Sequence, residues 1–178
     1  MAQTQLGVHI HVAEDTSDGA AGGRLEPWVR ASWRLAHCVH LDRALPGVIA
    51  HNPRSNLNNA VGYGRPDRFG NPVTLGTDGI GGDMLEEFRI AFALLRASDV
   101  TSSPETPWGW LEWDADATVE WSYTPVEPWH VGYTPAVRPV TVRVGERCVL
   151  DQGVPMLVDP VEIRVRAREQ AARLHARL

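Results

Sequence analysis

Four short apolar segments in the first half of the chain each end in a histidine or an acidic residue. Short apolar segments of this kind are typical of buried strands, and polar loops or helical segments separate them here. Strands that alternate with helices form an α/β sheet, in which the reactive groups collect at the carboxyl ends of the strands. We therefore expect the chemistry of this chain at the ends of these segments, where the sequence has His11 and Glu14, His37, His51, and Asp78.

The same segments predict the order of secondary structure. A short helix is predicted over residues 25–32, because Pro27 suits a first helical turn. A longer helix is predicted over residues 83–97, where apolar residues recur at helical spacing. Residues 52–59 are predicted to form a loop, since Asn, Pro and Ser favour turns. The four strands are predicted over residues 6–13, 33–41, 47–50 and 73–77.

The character of the chain changes after residue 100. Residues 101–136 are rich in Pro and Trp and are predicted to be a linker and a rearranged segment. Residues 137–178 are predicted to hold short strands, with turns at residues 145–146 and 152–153, and then a closing helix from Pro160. Three regions are therefore expected, over residues 1–100, 101–136 and 137–178.

Charge and composition exclude several classes of partner. The formal net charge is −5 and the charged residues are interleaved, so we expect no nucleic acid to bind. No apolar run approaches the roughly 20 residues of a membrane span, and no signal peptide is recognisable. With two cysteines no disulfide framework is expected, and a cytoplasmic location fits. Cys38 is predicted to be a small buried hydrophobe rather than a reactive thiol.

His11 and Glu14 are the first candidates for chemistry. A histidine at a strand end can bind a metal, and a carboxylate in the following loop can carry a proton beside it. The same spacing also arises often by chance. Asp78 follows an apolar segment and precedes a glycine, and it either belongs to a site or caps a helix. Asp83 lies closer to the predicted helix start and is the better cap.

The residue types favour one divalent metal. A lone histidine such as His37 is more often part of a core than a ligand, but several histidines and carboxylates at strand ends together suit zinc or another divalent transition metal. All 17 basic residues are arginines, so no lysine of this chain can bridge two metals. A site with a single metal ion is therefore expected.

Four segments occur in an order that resembles the chlorohydrolase/deaminase branch of the amidohydrolase superfamily. They are GVHIHVAED (7–15), AHCVHLD (36–42), HNPRSNLNN (51–59) and LGTDGIGGDM (75–84). That branch includes guanine deaminase, atrazine chlorohydrolase and aminohydrolases linked to selenium metabolism. The resemblance covers residues 6–95 and resumes over residues 137–178. It implies the C-terminal half of a (β/α)8 TIM barrel, strands five to eight, followed by a small C-terminal β segment and a terminal helix.

The resemblance also implies a role for each residue that matches a family motif. His11 matches a metal ligand, and Asp78 matches an aspartate that binds the metal and accepts the proton of water. Glu14 matches the general acid/base that delivers a proton to the leaving amine. His37 matches the histidine that orients the water or polarises the substrate.

Four other polar residues have less definite expectations. Asn56 matches an asparagine near the substrate pocket. His9 points to the same face as His11 and is either a pocket residue or a structural one. His40 and His51 are predicted to pack or to support the site.

The implied function is a metal-dependent hydrolase of C–N bonds other than peptide bonds. It would be an aminohydrolase or deaminase that attacks amino-substituted heterocycles or cyclic amidines with water activated by one metal, zinc or iron. The family's first strand supplies two more ligands as a His-x-His pair, and no part of this chain matches that strand. We therefore expect a small-molecule substrate and, as partner, a complementary N-terminal half or a second copy. The alternative is a non-catalytic, truncated half-enzyme that associates through its open barrel face.

Overall fold

The computed structural model of the protein describes residues 7–111, 119–122 and 138–178. These residues form two compact units, one of the residues up to 111 and one of residues 119–122 with 138–178. The region boundaries expected at residues 100 and 136 stay a prediction, because residues 112–118 and 123–137 of the expected linker lie outside the described residues. No helix within the described ranges is long and apolar enough to cross a membrane.

The first unit is built on a parallel sheet whose four strands neighbour one another in chain order. Its hydrogen-bonded register places Ile10 beside Leu35, and Leu35 beside Ile49. These side chains share one face of the sheet and belong to the main hydrophobic core. The expected α/β class with a parallel sheet is therefore confirmed. The strands are β1 (His9–Val12), β2 (Arg34–His37), β3 (Val48–His51) and β4 (Val73–Leu75).

The opposite face of the sheet carries small side chains. His11 is in register with Ala36, Ala36 with Ala50, and Ala50 with Thr74. Because side chains alternate along a strand, this row cannot join the core of the other face. His11 therefore lies on a face with little bulk beside it, and its side chain is 70% exposed.

Left-handed residues end the first two strands earlier than expected. Ala13 has φ 46°, His37 has φ 67° and Cys38 has φ 53°. A non-glycine residue in this region of φ cannot continue a strand. For this reason β1 ends at Val12 and β2 ends at His37, four residues before the predicted end at residue 41.

The two short helices differ from the predictions. Helix α1 (Ala21–Leu25) precedes the predicted range 25–32, because Pro27 has no N–H to donate to Gly23 and the helix ends before it. The predicted loop over residues 52–59 is instead the helix α2 (Pro53–Asn58), which has proline at its first position. Pro is favoured there, so the residue that suggested a turn also suits a helix start.

The long helix of the first unit agrees with its prediction. Helix α3 (Met84–Ser98) begins after Asp83, whose side chain accepts the N–H of Glu86 at 3.1 Å. It packs against α2, β4 and the short helix α4 (Glu105–Gly109). The Phe88 ring is fully buried and meets the Trp108 ring edge-on at a centroid distance of 5.2 Å.

The second unit is antiparallel. Its four described strands neighbour one another in chain order and are followed by helix α5 (Pro160–His175). The turns expected at residues 145–146 and 152–153 are present, and Gly145 and Gly153 adopt positive φ there. The Asp159 side chain accepts the N–H of Val161 at 2.8 Å and so caps α5. The strands are β5 (Val119–Ser122), β6 (Thr141–Val144), β7 (Arg147–Asp151) and β8 (Val154–Pro155).

His51, at the end of β3, is a buried residue of the first unit. It is 1% exposed, its ring lies 5.8 Å from the Tyr63 ring and 6.1 Å from the Trp110 ring, and its Nε2 has no hydrogen-bond partner among the described residues. Burial, with a smaller effect of His37, lowers the pKa of His51 from 6.5 to about 3. The imidazole is therefore neutral in the folded chain, as the predicted packing role requires.

The core predicts a clear stability difference between two truncations in the first unit. Leu35 is 0% exposed and packs between β1 and β3, whereas Val100 is 76% exposed. Leu35→Ala should lower the free energy of unfolding by about 2–5 kcal/mol, because it leaves a cavity. Val100→Ala should change it by less than about 0.5 kcal/mol. Urea denaturation of both variants measures this, and equal losses would contradict the assignment of the core.

His51 predicts an acid-sensitive fold. Between pH 6.5 and about 3 the unfolded chain binds a proton at His51 that the folded chain does not. Stability is therefore fully present above pH 6.5 and falls by about 1.4 kcal/mol per pH unit below it. His51→Gln should remove about 2 kcal/mol of the stability difference between pH 7 and pH 5, measured in urea. His175→Gln, at an exposed position, should leave that difference unchanged.

Candidate metal centre

Three of the predicted residues meet at the carboxyl ends of β1 and β2. One ligand atom from each of His11, Glu14 and His37 lies within 4.8 Å of the others. Glu14 Oε2 lies 3.8 Å from His11 Nδ1 and 3.6 Å from His37 Nε2, and the two imidazole centroids are 4.9 Å apart. The expected meeting of strand-end groups is thus present for these three side chains.

Backbone conformation aims His37 at this group. By simple alternation His37 would follow Leu35 onto the core face of the sheet, away from His11. The left-handed φ of 67° at His37 breaks the alternation, and the imidazole meets His11 instead. Ala13 is also left-handed, with φ 46°, and it directly precedes Glu14. Strained residues of this kind are held in place by surrounding structure and cluster at functional sites.

Asn56 of α2 sets the tautomer of His37. The Asn56 Oδ1 atom lies 2.9 Å from His37 Nδ1, and both side chains are buried. A carbonyl oxygen only accepts hydrogen bonds, so Nδ1 is the donor, and in the neutral imidazole Nε2 carries the lone pair. That lone pair faces Glu14, whose carboxylate is also an acceptor.

The converging acceptors suit a cation between them. Distances of 3.6 and 3.8 Å are too long for hydrogen bonds. Two ligand atoms about 2.1 Å from a tetrahedral zinc ion would themselves lie about 3.4 Å apart. Two imidazoles and one carboxylate are also a ligand set that catalytic zinc sites use, with a fourth position left for water. The residues present therefore fit a zinc ion or a similar divalent metal.

Asp78 lies beside this group but is not among the three ligand atoms. The Ser55 hydroxyl donates to its Oδ2 at 2.6 Å, and the N–H of Gly79 donates to its Oδ1 at 2.8 Å. The Ser55 hydrogen bond, with smaller effects of Gly79, His37 and His11, holds the pKa of Asp78 below its usual value. Asp78 is thus a carboxylate at neutral pH, and its own φ of 52° is left-handed.

Helix α2 and its C-cap residue bind three polar side chains of the site, His37, Asp78 and Glu14. The sequence did not predict this role for the segment. Asn56 bonds to His37, Ser55 bonds to Asp78, and Asn59 donates to Glu14 Oε1 at 3.2 Å. Only Asn56 was predicted to lie near the pocket. The signal for the other two is the density of Asn and Ser in residues 51–59, although the same residue types also favour turns.

His9, His40 and Cys38 lie outside the ligand group. His9 is exposed on the same face of β1 as His11. His40 Nε2 lies 2.7 Å from the carbonyl oxygen of Val61, so its contact is with that loop, and support of the site by His40 stays a prediction. Cys38 is buried, and burial raises the pKa of its thiol to about 12, which confirms the prediction of an unreactive side chain.

Known proteins provide an independent comparison. No protein-family model matches the chain. A curated relative from Syntrophomonas wolfei subsp. wolfei, named 5-methylthioadenosine/S-adenosylhomocysteine deaminase, is 34% identical over 113 residues. That match covers 49% of this chain and 26% of the relative, so it spans about a quarter of the relative's length.

Two solved structures share the fold. A zinc-bound adenosine deaminase from Xanthomonas campestris matches with a TM-score of 0.71 at 20% identity, over 96% of this chain and 51% of that one. An amidohydrolase from Brucella melitensis matches with a TM-score of 0.68 at 16% identity, over 88% of this chain and 47% of that one. Together, these comparisons confirm the resemblance of part of this chain to the amidohydrolase superfamily.

Proposed function

We propose that this chain carries the metal-binding and proton-transfer residues of an aminohydrolase. The observation that supports this most is the convergence of His11, Glu14 and His37, whose ligand atoms lie within 4.8 Å of one another beside the Asp78 carboxylate. The reaction class is hydrolysis of a C–N bond outside peptides, and ammonia is the leaving group.

We further infer that β1–β4 correspond to strands five to eight of a (β/α)8 barrel. Four parallel strands in sequential order support this, as does a site at their carboxyl ends, where barrel enzymes carry their chemistry. Two structures with similar folds are about twice as long as this chain.

Each polar side chain then has a defined part. His11 and Asp78 bind the metal, and Asp78, held as a carboxylate by Ser55, accepts the proton of the attacking water. Glu14 delivers a proton to the departing amine, and Asn59 steadies its carboxylate. His37, with its tautomer set by Asn56, stabilises the negative charge that develops on the substrate. We also assign Asn56 and His9 to the border of the substrate pocket.

The metal, zinc or iron, acts as a Lewis acid when bound and makes water nucleophilic at neutral pH.

We propose that a partner supplies the further metal ligands. β1 lies at one edge of the sheet, and its residues His9 and His11 are exposed. An open edge can pair with another strand. A complementary half that carries two more histidines, or a second copy of the chain, fits this edge.

The proposed substrates are amino-substituted heterocycles, with adenine nucleosides as the first class to test. This choice rests on two similar proteins, which are named as deaminases of adenosine or adenosine derivatives. A non-catalytic half-enzyme is not favoured, because the curated match and the first structural match both carry enzyme names.

Zinc binding is the direct test of the ligand group. We expect about one zinc per full-length chain, measured by elemental analysis after dialysis. His11→Ala and Asp78→Ala should each weaken zinc affinity by more than about a hundredfold, since loss of a ligand exceeds loss of its support. The exposed His175 of α5 supplies the control, because His175→Ala removes an imidazole elsewhere and should bind zinc normally. Zinc content equal in all four proteins would contradict the site.

Glu14→Gln separates a ligand role from a proton-transfer role. If Glu14 carries a proton, the zinc-loaded variant keeps its metal and releases ammonia from adenine nucleosides at least about a hundredfold more slowly than the unaltered chain. Both proteins are assayed alone and with a supplied His-x-His half. A loss of zinc as large as that in His11→Ala would show instead that Glu14 is a ligand.

A further inference from the structure

Helix α2 is too short to be stable without contacts from other parts of the fold. Its six residues make about 1.7 turns, and isolated helices shorter than about 12 residues are marginal in water. Its N-cap residue Asn52 makes no capping hydrogen bond through its side chain, and Pro53 has no N–H. The N–H of Arg54 therefore needs an acceptor from another part of the fold.

Glu87 of α3 provides that acceptor. Its Oε2 accepts the backbone N–H of Arg54 at 3.2 Å, and its Oε1 accepts the guanidinium Nε–H of the same residue at 2.8 Å. Glu87 is 0% exposed, so no water competes for these bonds. A carboxylate beside the first turn also favours the helix electrostatically. Glu87 thus caps α2 from a different helix.

Arg54 also touches the loop that carries Asp78. A Cβ added to Gly81 would lie 2.6–2.9 Å from the guanidinium atoms of Arg54, which shows how closely the loop backbone passes over it. The guanidinium therefore lies between the Glu87 carboxylate and the segment that joins Asp78 to α3. Any movement of Arg54 would disturb both α2 and this loop.

We propose that Glu87 is a positioning residue of the metal centre, which acts through Arg54 and α2 on His37 and Asp78. Ser55 and Asn56 follow Arg54 directly in α2, and they hold the Asp78 carboxylate and the His37 imidazole. The effect on metal affinity rests on the function proposed above. The effect on the two side chains can be measured without metal.

The charge of Glu87 orients Arg54 in addition to filling space in the interior. Ion pairs in an interior are often no more stable than apolar residues of the same size, and in some proteins their role is to specify one arrangement of the groups that they bind. Here both Glu87 oxygens bind one residue, and that residue lies next to the two side chains that contact the site. Metal ligands, and the side chains that hydrogen-bond to them, must be held in a defined orientation.

Three full-length variants test the proposal. Glu87→Gln keeps the size of the side chain and removes its charge. Arg54→Lys is a milder change that keeps the cation and loses the Nε–H bond, and it serves if Glu87→Gln does not fold. Leu95→Ala is the matched control, because Leu95 is 1% exposed in the same helix and lies about 12 Å along it from Glu87.

Two measurements need no metal. Hydrogen exchange reports the protection of α2 amides such as those of Asn56 and Asn59, and imidazole ¹⁵N chemical shifts report the tautomer of His37. In Glu87→Gln we expect α2 to exchange about tenfold faster than in the unaltered chain and His37 to populate both tautomers. Leu95→Ala should keep the single Nδ1–H tautomer, even though it destabilises the fold. Zinc affinity should fall roughly tenfold in Glu87→Gln, the lower end for supports of ligands, and stay unchanged in Leu95→Ala.

A coupling measurement separates positioning from general loss of stability. If Glu87 acts through α2, Glu87→Gln should weaken zinc binding less in the Ser55→Ala variant than in the unaltered chain. Unchanged α2 exchange and an unchanged His37 tautomer in both Glu87→Gln and Arg54→Lys would overturn the proposal, as would an equal tautomer change in Leu95→Ala. A chain that binds no zinc, but whose His37 and α2 respond to Glu87→Gln, would refute the proposed function and leave the positioning role standing.

Discussion

The register between β1 and β2 decides which side chains can take part in the site. It places His11 beside Ala36, on the face opposite to the row of Ile10, Leu35 and Ile49. A slip of one residue would move His11 into the core and an apolar residue onto the open face. Burial of the apolar row therefore stabilises the fold and, through strict alternation, also keeps the imidazole of His11 accessible.

Register alone places only one of the ligand atoms correctly. His37 and Glu14 come after the regular strands, and both depend on left-handed backbone at His37 and Ala13. Such residues cost free energy, of the order of 1–3 kcal/mol each, and persist only where neighbouring contacts hold them. For His37 one such contact is Asn56, and for Glu14 it is Asn59. The accuracy of the site is therefore supplied by residues 53–59 rather than by the sheet.

The sequence predicted the sheet, helix α3 and the convergence of strand-end groups, because all three follow from the spacing of apolar residues. It did not predict α2, since Asn, Pro and Ser are common both in turns and at helix starts. It also could not predict that β2 ends at His37, because positive φ is uncommon even at histidine, although histidine adopts it more often than most residues do. Both misses concern short segments whose conformation depends on tertiary contacts such as those of Glu87 with Arg54.

The distribution of charge in the first unit suggests why a buried carboxylate is tolerated there. Glu14 and Asp78 both lie on the accessible side of the sheet, where their negative charge is available to a cation and to a proton. Ser55 of α2 and Asn59 at its C-cap donate hydrogen bonds to these carboxylates, and the N–H of Gly79 donates a further one to Asp78. The N-terminus of α2 carries a partial positive charge. Glu87 balances that end of α2 and the Arg54 guanidinium from the side away from solvent. A carboxylate of the interior and two carboxylates of the open face are in this way connected through one short helix, so changes at the buried end should reach the chemistry at the exposed end.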